Sequence, residues 1–560
     1  MAHDHSHSAG HHVPSTPKSP GRRQFDAILI GGGHNGLVAA AYLAKAGKKV
    51  CVLERRHVLG GCACTEELWP GYKVSTAAYV ISLFLPSIIR DLKLKDHGLK
   101  ILPRSPSSFT PLLDGRSLLL GPDRGLCQRE ISKFSQRDAE AYPKYEKLLE
   151  RIAATLEPLL SQAAPDPLAT PSDKRKIGLG KRLRDGSKLW DLYKAFSSLG
   201  DDLPEAIEFL TGAARPILER TFETEVLKAT LATDAVIGAF ASPAMPGTAY
   251  VLLHHVMGEA GGARGVWGYV QGGMGGLADA LEKTCHELGV EIYRETAVSE
   301  IITDKGAAKG VVLESGEIVS APIVASSIDA RHTFLRMLPE SALPSQWRER
   351  ITKIDYASAS AKINLGLREL PKFTCLAGDN SGQQLRGTIH ISPTLDFIER
   401  AFDDAKYGRP SNEPILEMTI PSTVDSTVAP PGKHVASIFV QYAPYKLASG
   451  NWDDQKEAFA DRCIELLSRY APNVTSAIEH RQILSPLDLE RQFSLTGGNI
   501  MQGAMHLHQL FSFRPTMGWA DHRTPIKGLY LVGAASHPGG GVMGACGRNG
   551  AAEILRDSPG

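Results

Sequence analysis

The clearest hydrophobic pattern of the chain lies near its N-terminus. Residues 25–30 form a short, continuous apolar run that ends in glycines, which is typical of a strand buried on both faces. Residues 37–46 carry apolar side chains at helical spacing, and Gly47 follows them as a stop signal. Residues 50–53 form a second apolar run. The pattern predicts one β-α-β unit.

Later stretches show related patterns. Residues 272–326 open with a glycine turn and a helix and continue as a run of strands, and residues 527–555 read as a strand, a glycine-rich loop and a closing helix. Residues 453–470 place apolar side chains on one helical face, which predicts a core-packing helix. Residues 162–186 are rich in proline and then in basic residues, which favours a solvated surface connector over a binding patch.

The glycines of the first unit have the spacing G-x-G-x-x-G between a strand and a helix, and an acidic residue stands 18 positions after the last glycine. This context is the dinucleotide-binding fingerprint. Gly31 permits the tight turn, Gly33 lets a pyrophosphate approach the backbone, and Gly36 lets the helix pack on the strand. Glu54 can accept hydrogen bonds from the ribose hydroxyls. The helix N-terminus receives the phosphates.

Composition narrows the function classes. The 560 residues include 62 basic and 61 acidic side chains, so bulk charge does not favour a nucleic-acid partner. Eight cysteines without a framework spacing favour a reducing compartment.

Residues 1–23 lack the apolar centre of a secretory signal, and their histidines are expected to be incidental in a disordered tail, so no metal site is predicted. Residues 235–258 are uncharged, but prolines interrupt them, and no membrane span is predicted.

A glycine pair shortly after the acid, Gly60 and Gly61, resembles the two-dinucleotide-binding pattern of flavoproteins, and this resemblance favours FAD over NAD as the dinucleotide. Three motifs in this order resemble the FAD-dependent phytoene desaturase family of amine-oxidase-like flavoproteins. They are the N-terminal fingerprint that ends in "GG", "YVQGGMGGLADAL" at residues 269–281, and "GLYLVGAASHPGGGVMGACGRN" at residues 528–549. The likeness runs from about residue 24 to the C-terminus.

The resemblance implies a fold and a set of cofactor contacts. The fold class is α/β, with a Rossmann-like FAD-binding domain built from discontinuous segments and an inserted mixed α+β substrate domain. The resemblance implies FAD contacts from the N-terminal motif, from the strand after the second motif and from the final loop: Gly31, Gly33, Gly36, Glu54, Arg55, Gly61, Val298, Gly533, Gly540, Gly541, Val542 and Met543. Cys62 stands where the desaturases usually carry an arginine, so cofactor affinity or reactivity can differ here.

The predicted domain boundaries follow from the same motifs. Residues 24–100, 265–330 and 520–560 are assigned to the FAD-binding domain, and residues 101–264 and 331–519 to the substrate-binding, partly helical domain. The chain is too long for a single compact core, which agrees with two interleaved domains.

The residues oppose a disulfide reductase. Cys62 and Cys64 form only C-x-C, and no second strand–G-x-G-x-x-G–helix unit is present for a nicotinamide nucleotide. We therefore predict an FAD-dependent desaturase or dehydrogenase that takes a hydride from an apolar or lipid-like substrate, with reoxidation by oxygen or a quinone. His537 is a candidate base or flavin-tuning group, with a structural role as the alternative. Lys362 is the other unusual group, since it lies on a presumed strand with Ile363, Asn364 and Leu365, and its default interpretation is a charge on the solvent face of that strand.

Two other functions stay open at this point. One is an FAD-containing partner-binding or regulatory protein, similar to the escort proteins of small GTPases, with little or no catalysis. The other is a redox-neutral flavin isomerase. A peripheral membrane contact or a protein partner is compatible with either. The resemblance implies a mitochondrial matrix location, with the cytoplasm as the alternative.

Overall fold

The computed structural model describes residues 19–20, 23–166, 178–260, 263–376 and 382–558. The N-terminal tail predicted for residues 1–23 and its histidines therefore fall almost entirely outside the described residues. The proline-rich first part of the predicted connector at residues 162–186 lies partly outside them as well.

The secondary structure alternates helices and short strands along the whole chain. The α-helices of the described residues are α1 (His34–Lys45), α2 (Pro86–Asp91), α3 (Arg124–Ser132), α4 (Gln136–Leu160), α5 (Leu179–Ser197), α6 (Leu203–Thr211), α7 (Ala214–Thr221), α8 (Glu225–Asp234), α9 (Thr248–Val256), α10 (Gly275–Glu287), α11 (Ser345–Thr352), α12 (Leu395–Lys406), α13 (Trp452–Ser468), α14 (Val474–Ala477), α15 (Pro486–Phe493) and α16 (Ala545–Asp557). The strands are β1 (Ala27–Ile30), β2 (Val50–Leu53), β3 (Glu66–Trp69), β4 (Tyr72–Val74), β5 (Ile101–Pro103), β6 (Ser108–Pro111), β7 (Ser117–Leu120), β8 (Glu259–Ala260), β9 (Ala263–Arg264), β10 (Gly268–Val270), β11 (Glu291–Tyr293), β12 (Val298–Asp304), β13 (Ala307–Leu313), β14 (Ile318–Ser320), β15 (Ile323–Ser326), β16 (Ser360–Leu367), β17 (Thr388–Ile391), β18 (Ile415–Thr419), β19 (His434–Gln441), β20 (Ile478–Leu484) and β21 (Leu529–Leu531).

A five-stranded parallel sheet forms the nucleotide-binding part, in the order β11-β2-β1-β15-β21. Its strands come from three separated stretches of the chain, as the discontinuous pattern predicted. Alternate residues of β1 enter two different cores. Ala27 and Leu29 pack with α1 and α10, whereas Ile28 and Ile30 pack with β12 and β13 of an antiparallel three-stranded sheet. Burial on both faces explains the continuous apolar run of this strand.

A seven-stranded sheet forms the second part, in the order β20-β16-β19-β18-β17-β6-β7. Most of its pairs are antiparallel, and the β17–β6 pair is parallel. One face packs on a large helical core to which α4, α8, α9, α12 and α13 contribute. Together the two sheets and their helices confirm the predicted α/β class with a mixed second part.

One local expectation needs correction. Residues 179–186 were expected in a surface connector, but they begin α5, and the lysine and arginine side chains of that stretch stand on a helix. Residues 235–258 do not form one continuous helix, because α8 ends at Asp234 and α9 begins only at Thr248. Within the described residues, no helix is long and apolar enough to cross a membrane.

Candidate cofactor and substrate site

A cavity of about 650 Å³ runs between the parallel sheet and the seven-stranded sheet. One end is lined mainly by backbone from the ends of β1, β2 and β12. The other end is lined by larger side chains, among them Tyr79, Trp267 and Phe439. We call these the nucleotide end and the substrate end.

The glycines of the N-terminal motif serve three different purposes in the structure. Gly31 has a φ of +93°, a left-handed conformation that only glycine adopts without strain. A Cβ atom on Gly36 would lie 2.2 Å from the carbonyl oxygen of Gly31, so this glycine permits the close packing of α1 on β1. Gly33 lines the cavity, and its nearest neighbours for a Cβ atom are 3.9 Å away. Space for a ligand therefore lies at Gly33.

Among the residues that the structure describes, no side chain caps the N-terminus of α1. Gly33 is the N-cap residue, no side chain accepts a hydrogen bond there, and the first turn has no acidic residue. His34 lies at the same place, and its buried Nε2 atom has no hydrogen-bond partner among the described residues. Burial lowers the pKa of His34 to about 4, so this ring is neutral. Uncapped amides and an unsatisfied ring nitrogen fit a phosphate-bearing ligand.

Glu54 stands at the end of β2 and faces this helix N-terminus. Its Oε2 atom accepts a hydrogen bond from the backbone N–H of Gly32 at 2.7 Å, and its Oε1 atom accepts one from the backbone N–H of Arg56 at 2.9 Å. The carboxylate is buried yet lines the cavity. These two amides fix its orientation, so it is placed to accept hydrogen bonds from a ribose.

Three further expected contacts of the nucleotide end also line the cavity. They are Arg55, Gly61 and Val298, which is the first residue of β12. Cys62, the departure from the desaturase pattern, lines the cavity beside them, and burial raises the pKa of its thiol to about 12. All eight cysteines of the chain are free, and the Cys62 thiol is protonated at neutral pH.

The C-terminal glycine loop divides into residues that reach the cavity and residues that do not. Gly540, Gly541 and Val542 line it. Gly533 instead packs on backbone, because a Cβ atom there would lie 2.2 Å from the carbonyl oxygen of Ser327. Met543 is buried behind the loop, where its carbonyl oxygen accepts a hydrogen bond from Leu85 N–H.

His537 lies away from the cavity lining. It is 1% exposed, and its Nε2 atom donates to the carbonyl oxygen of Leu159 at 3.1 Å. Burial lowers the pKa of the ring to about 3, so it is neutral. This contact ties the glycine loop to the C-terminal end of α4, which is the structural role that the sequence left open.

Lys362 is the residue whose position differs most from expectation. It was expected on the solvent face of its strand, but it is 3% exposed and lines the substrate end of the cavity. The opposite face of β16 packs Ala361 and Ile363 into the helical core, so Lys362, which lies between them, faces the other way, where the cavity lies. Burial lowers the pKa of Lys362 to about 7.

The amine of Lys362 is held by backbone and by an aromatic ring. Its Nζ atom donates to the carbonyl oxygens of Ser75 and Ala77, at 2.6 and 2.5 Å, and lies 4.7 Å from the centre of the Tyr79 ring. The next inward residue of the strand, Asn364, donates to the carbonyl oxygen of Thr76. The strand therefore fixes the loop at residues 75–79. No local pattern predicts this pairing, because the two segments lie far apart along the chain.

Fold and cavity together define a flavoprotein oxidoreductase. The sequence profile described as "Flavin containing amine oxidoreductase" matches residues 36–555, and the chain belongs to this family. FAD is its cofactor, and the uncapped helix, Glu54 and the open space at Gly33 fit that group.

Particular relatives narrow the comparison. The chain is 47% identical over 550 residues to the mouse protein named "Pyridine nucleotide-disulfide oxidoreductase domain-containing protein 2", and the match covers 95% of this chain and 94% of that protein. It is 27% identical to a limonene dehydrogenase component of Castellaniella defragrans, over 96% of this chain and 95% of that protein. Phytoene desaturase (neurosporene-forming) of Cereibacter sphaeroides is 25% identical, at 96% and 95% coverage. The predicted resemblance to phytoene desaturases is confirmed.

Among solved structures, a putrescine oxidase triple mutant aligns with a TM-score of 0.58 at 16% identity, over 96% of this chain and 99% of that one. At this identity the likeness shows the fold alone. It agrees with the α/β architecture described above.

Proposed function

We propose that this oxidoreductase is a dehydrogenase or desaturase that takes a hydride from an apolar or amphipathic substrate. The observation that carries the proposal is the course of the cavity, which continues from the glycine-built nucleotide end to a substrate end walled by Leu83, Trp267 and Phe439. Bound FAD supplies a two-electron acceptor. Relatives named for limonene and phytoene, two hydrocarbons, support the apolar substrate, and oxygen or a quinone is the proposed final acceptor.

The proposed cofactor contacts are the predicted residues that line the cavity. They are Gly31, Gly33, Glu54, Arg55, Gly61, Val298, Gly540, Gly541 and Val542. Gly36, Gly533 and Met543 act through packing that keeps the same loops in place.

Lys362 is the group that we assign to proton movement. Removal of a hydride from a saturated carbon leaves a proton to be taken up, and a general base works best when its pKa lies near the operating pH. Burial brings the pKa of this lysine to about 7, so a large fraction of its amine is neutral at neutral pH. The carbonyl oxygens of Ser75 and Ala77 hold the Nζ atom in the cavity and leave it able to accept a proton.

The apolar walls of the substrate end exclude water and orient the substrate. Orientation and dryness are the main requirements of hydride transfer, since no charged nucleophile is needed. His537 is therefore not assigned to the chemistry, because it contacts α4 and not the cavity.

The test is spectroscopic. Purified protein should be yellow with a flavin spectrum, and anaerobic addition of a hydrocarbon or lipid substrate should bleach that colour. Colourless protein that takes up no added FAD would replace the proposal with the escort-type function. Yellow protein that rearranges a double bond without bleaching would replace it with the isomerase.

A peripheral membrane contact and a mitochondrial location complete the proposal. Helix α5 presents Leu183, Trp190 and Tyr193 to solvent, with Arg182 and Arg184 beside them, a mixture that suits an anionic lipid surface. Co-sedimentation with vesicles containing phosphatidylserine tests the membrane contact, and we expect Trp190→Ser to lose vesicle binding.

A reporter fused to residues 1–40 tests the mitochondrial location, and a reporter that stays cytosolic would contradict it.

A further inference from the structure

A second, smaller cavity of about 220 Å³ adjoins the substrate end and has a different chemical character. Five residues line both cavities, namely Tyr79, Val80, Ile237, His255 and Trp267. The second cavity, which we call the polar chamber, therefore begins where the substrate end stops. A molecule that reaches past the ring of Tyr79 would enter it.

Ionisable side chains from separate elements converge on the polar chamber. Among them are Arg104 after β5, Tyr145 of α4, Asp234 at the end of α8, His255 of α9, His390 of β17 and Glu417 of β18. His390 and Glu417 are register partners across two neighbouring strands, and 3.7 Å separates the imidazole Nδ1 from the carboxyl Oε1. Such groups are costly to bury in a protein core, so their presence indicates a ligand.

One of these groups lacks the partner that a buried polar group normally has. Tyr145 is 5% exposed, and its Oη atom makes no hydrogen bond to any described residue. The half-buried carboxyl of Asp234 lines the chamber as well. Buried polar atoms are rarely left without a partner, and a ligand would satisfy Tyr145.

We propose that the polar chamber binds the neutral, hydroxyl-bearing head of an amphipathic substrate, whose apolar part lies in the larger cavity. This inference rests on the proposed function and names the class of its substrate. A hydroxyl both donates and accepts a hydrogen bond, and the chamber offers both kinds of partner.

The available donors and acceptors match that choice. Tyr145 can donate, and Asp234 can accept. The His255 Nδ1–H group donates to the carbonyl oxygen of Val251 at 2.8 Å, which leaves its Nε2 atom as an acceptor. Glu417 adds a donor, because burial and the nearby Asp234 raise the pKa of its carboxyl to about 8, so it is protonated at neutral pH.

The charges of the chamber oppose an ionic head. Burial raises the pKa of Asp234, and the positive charge of Arg104 offsets part of this rise. The Arg104 guanidinium donates a hydrogen bond to Thr388 Oγ1 at 2.7 Å, which holds it in place. His390 is neutral, because burial lowers its pKa to about 3. The described residues contain no cluster of three or more groups able to hold a metal ion. A carboxylate head would meet Asp234 directly.

Titration calorimetry of the FAD-loaded protein under anaerobic conditions tests the proposal. The probes are octanol, octylammonium and octanoate, which share one alkyl chain and differ only in the head. We expect octanol to bind about tenfold more tightly than either ion at pH 7, the equivalent of one well-made hydrogen bond. Tighter binding of octylammonium would overturn the proposal in favour of a cation site, and equal binding of all three would show a chamber that holds only water.

Two variants sharpen the result. Tyr145→Phe should weaken octanol about tenfold, as expected for the loss of one buried hydrogen bond. In the wild type, octanol affinity should fall as the pH rises through about 8, because the ionised Glu417 can no longer donate. Glu417→Gln keeps a neutral donor, so it should bind octanol at pH 7 and lose that pH dependence. An unchanged pH profile in Glu417→Gln would overturn the role of Glu417.

The Glu417→Gln comparison separates this carboxyl from the other ionisable groups of the chamber. Asp234, Glu146, Arg104, His390, His255 and Tyr79 also line it; burial raises the pKa of Asp234 and of Glu146, and it keeps Tyr79 and His390 neutral over the range. Calorimetry detects binding without turnover. Octanol selectivity without substrate-dependent bleaching would therefore support the proposed head-group site and contradict the dehydrogenase function. Bleaching without head-group selectivity would support the dehydrogenase function and contradict the head-group site.

Discussion

The two ends of the large cavity are built in opposite ways. The nucleotide end consists mostly of backbone, where glycines and an uncapped helix leave N–H groups facing open space. The substrate end consists of side chains from distant elements, such as Lys362 of β16, Trp267 before β10 and Phe439 of β19. The nucleotide end therefore offers hydrogen-bond donors of the main chain, whereas the substrate end offers apolar and aromatic surface.

This difference determines how each end should respond to mutation. A methyl group added at the nucleotide end either blocks the ligand or breaks the fold, depending on which atoms it meets. A side chain replaced at the substrate end should leave the cofactor bound and change the reaction. Substitutions at the two ends therefore test the contrast, with the largest effects expected among the glycines.

Alanine at Gly33 and at Gly36 should have opposite consequences. In Gly36→Ala the new Cβ atom would lie 2.2 Å from the Gly31 carbonyl oxygen, and we expect a loss of about 3 kcal/mol in the free energy of unfolding. Gly33 has a φ of −67° and no atom within 3.9 Å of its Cβ position, so Gly33→Ala should fold but lose FAD. Thermal unfolding and the flavin-to-protein absorbance ratio measure the two effects.

Gly186→Ala in α5 is the matched control, because no heavy atom lies within 4 Å of its Cβ position. It should keep both stability and colour. A yellow Gly33→Ala protein with unchanged FAD affinity would contradict the assignment of the phosphate site to this glycine.

Lys362→Met should keep the flavin but slow its anaerobic reduction. Loss of a general base typically costs about 10²- to 10⁴-fold in rate. In the wild type the reduction rate should rise with pH through about 7, as the amine becomes neutral, and the methionine variant should lack that rise. Stopped-flow absorbance of the flavin measures both quantities.

Two variants serve as comparisons for Lys362. Lys228→Met removes another buried lysine, which pairs with Glu225 in α8 and does not line the cavity, and it should reduce at the wild-type rate. His537→Ala should also keep its reduction rate, because His537 contacts α4. If flavin reduction were slow in His537→Ala, and if Lys362→Met kept the pH dependence of the wild type, the proton-accepting role would pass from Lys362 to His537.

The contrast between the two ends also explains what the sequence could predict. The turn at Gly31, the packing at Gly36 and the acid at Glu54 act through local spacing within one β-α-β unit, so reading them needed no tertiary information. Strand β2 was predicted at its observed bounds for the same reason. The family resemblance then identified the C-terminal glycine loop as a cofactor contact, and Gly540 of this loop lines the cavity.

The substrate end was not predictable in that way. Lys362 was misplaced because alternation along β16 shows that it faces away from Ile363, but not whether that face meets solvent or a cavity. The polar chamber depends on residues that the sequence separates widely, such as Tyr145 and Glu417, and no local pattern marks them as neighbours. Loop 75–79, which holds the lysine, carries no charged residue to draw attention.

The polar chamber should also make the stability of the protein depend on pH. The carboxyl of Glu417 has its pKa raised from 4.5 to about 8 in the folded state, so the folded protein binds more protons than the unfolded chain between these values. Stability is therefore present below the lower value and is lost as the pH rises through about 8. Glu417→Gln should gain about 1–3 kcal/mol over the wild type at pH 9 and much less at pH 5.

Chemical denaturation at the two pH values measures this difference. Glu465→Gln on the exposed surface of α13 is the control and should follow the wild type at both. Parallel curves for Glu417→Gln and the wild type would mean that the Glu417 carboxyl is solvated and ionised in the folded protein.

The smallest effect is expected from the cysteines that suggest disulfide chemistry. Cys62 lines the nucleotide end, but burial raises the pKa of its thiol to about 12, and a protonated thiol is a poor nucleophile. Cys64 lies outside the lining and interacts with Thr76 Oγ1 at 3.1 Å. Cys62→Ala and Cys64→Ala should therefore keep the flavin and change its rate of reduction less than about threefold, within the range of ordinary packing changes. If either variant lost most of its activity while retaining FAD, a thiol would belong to the electron path, and the substrate end would no longer account for the chemistry alone.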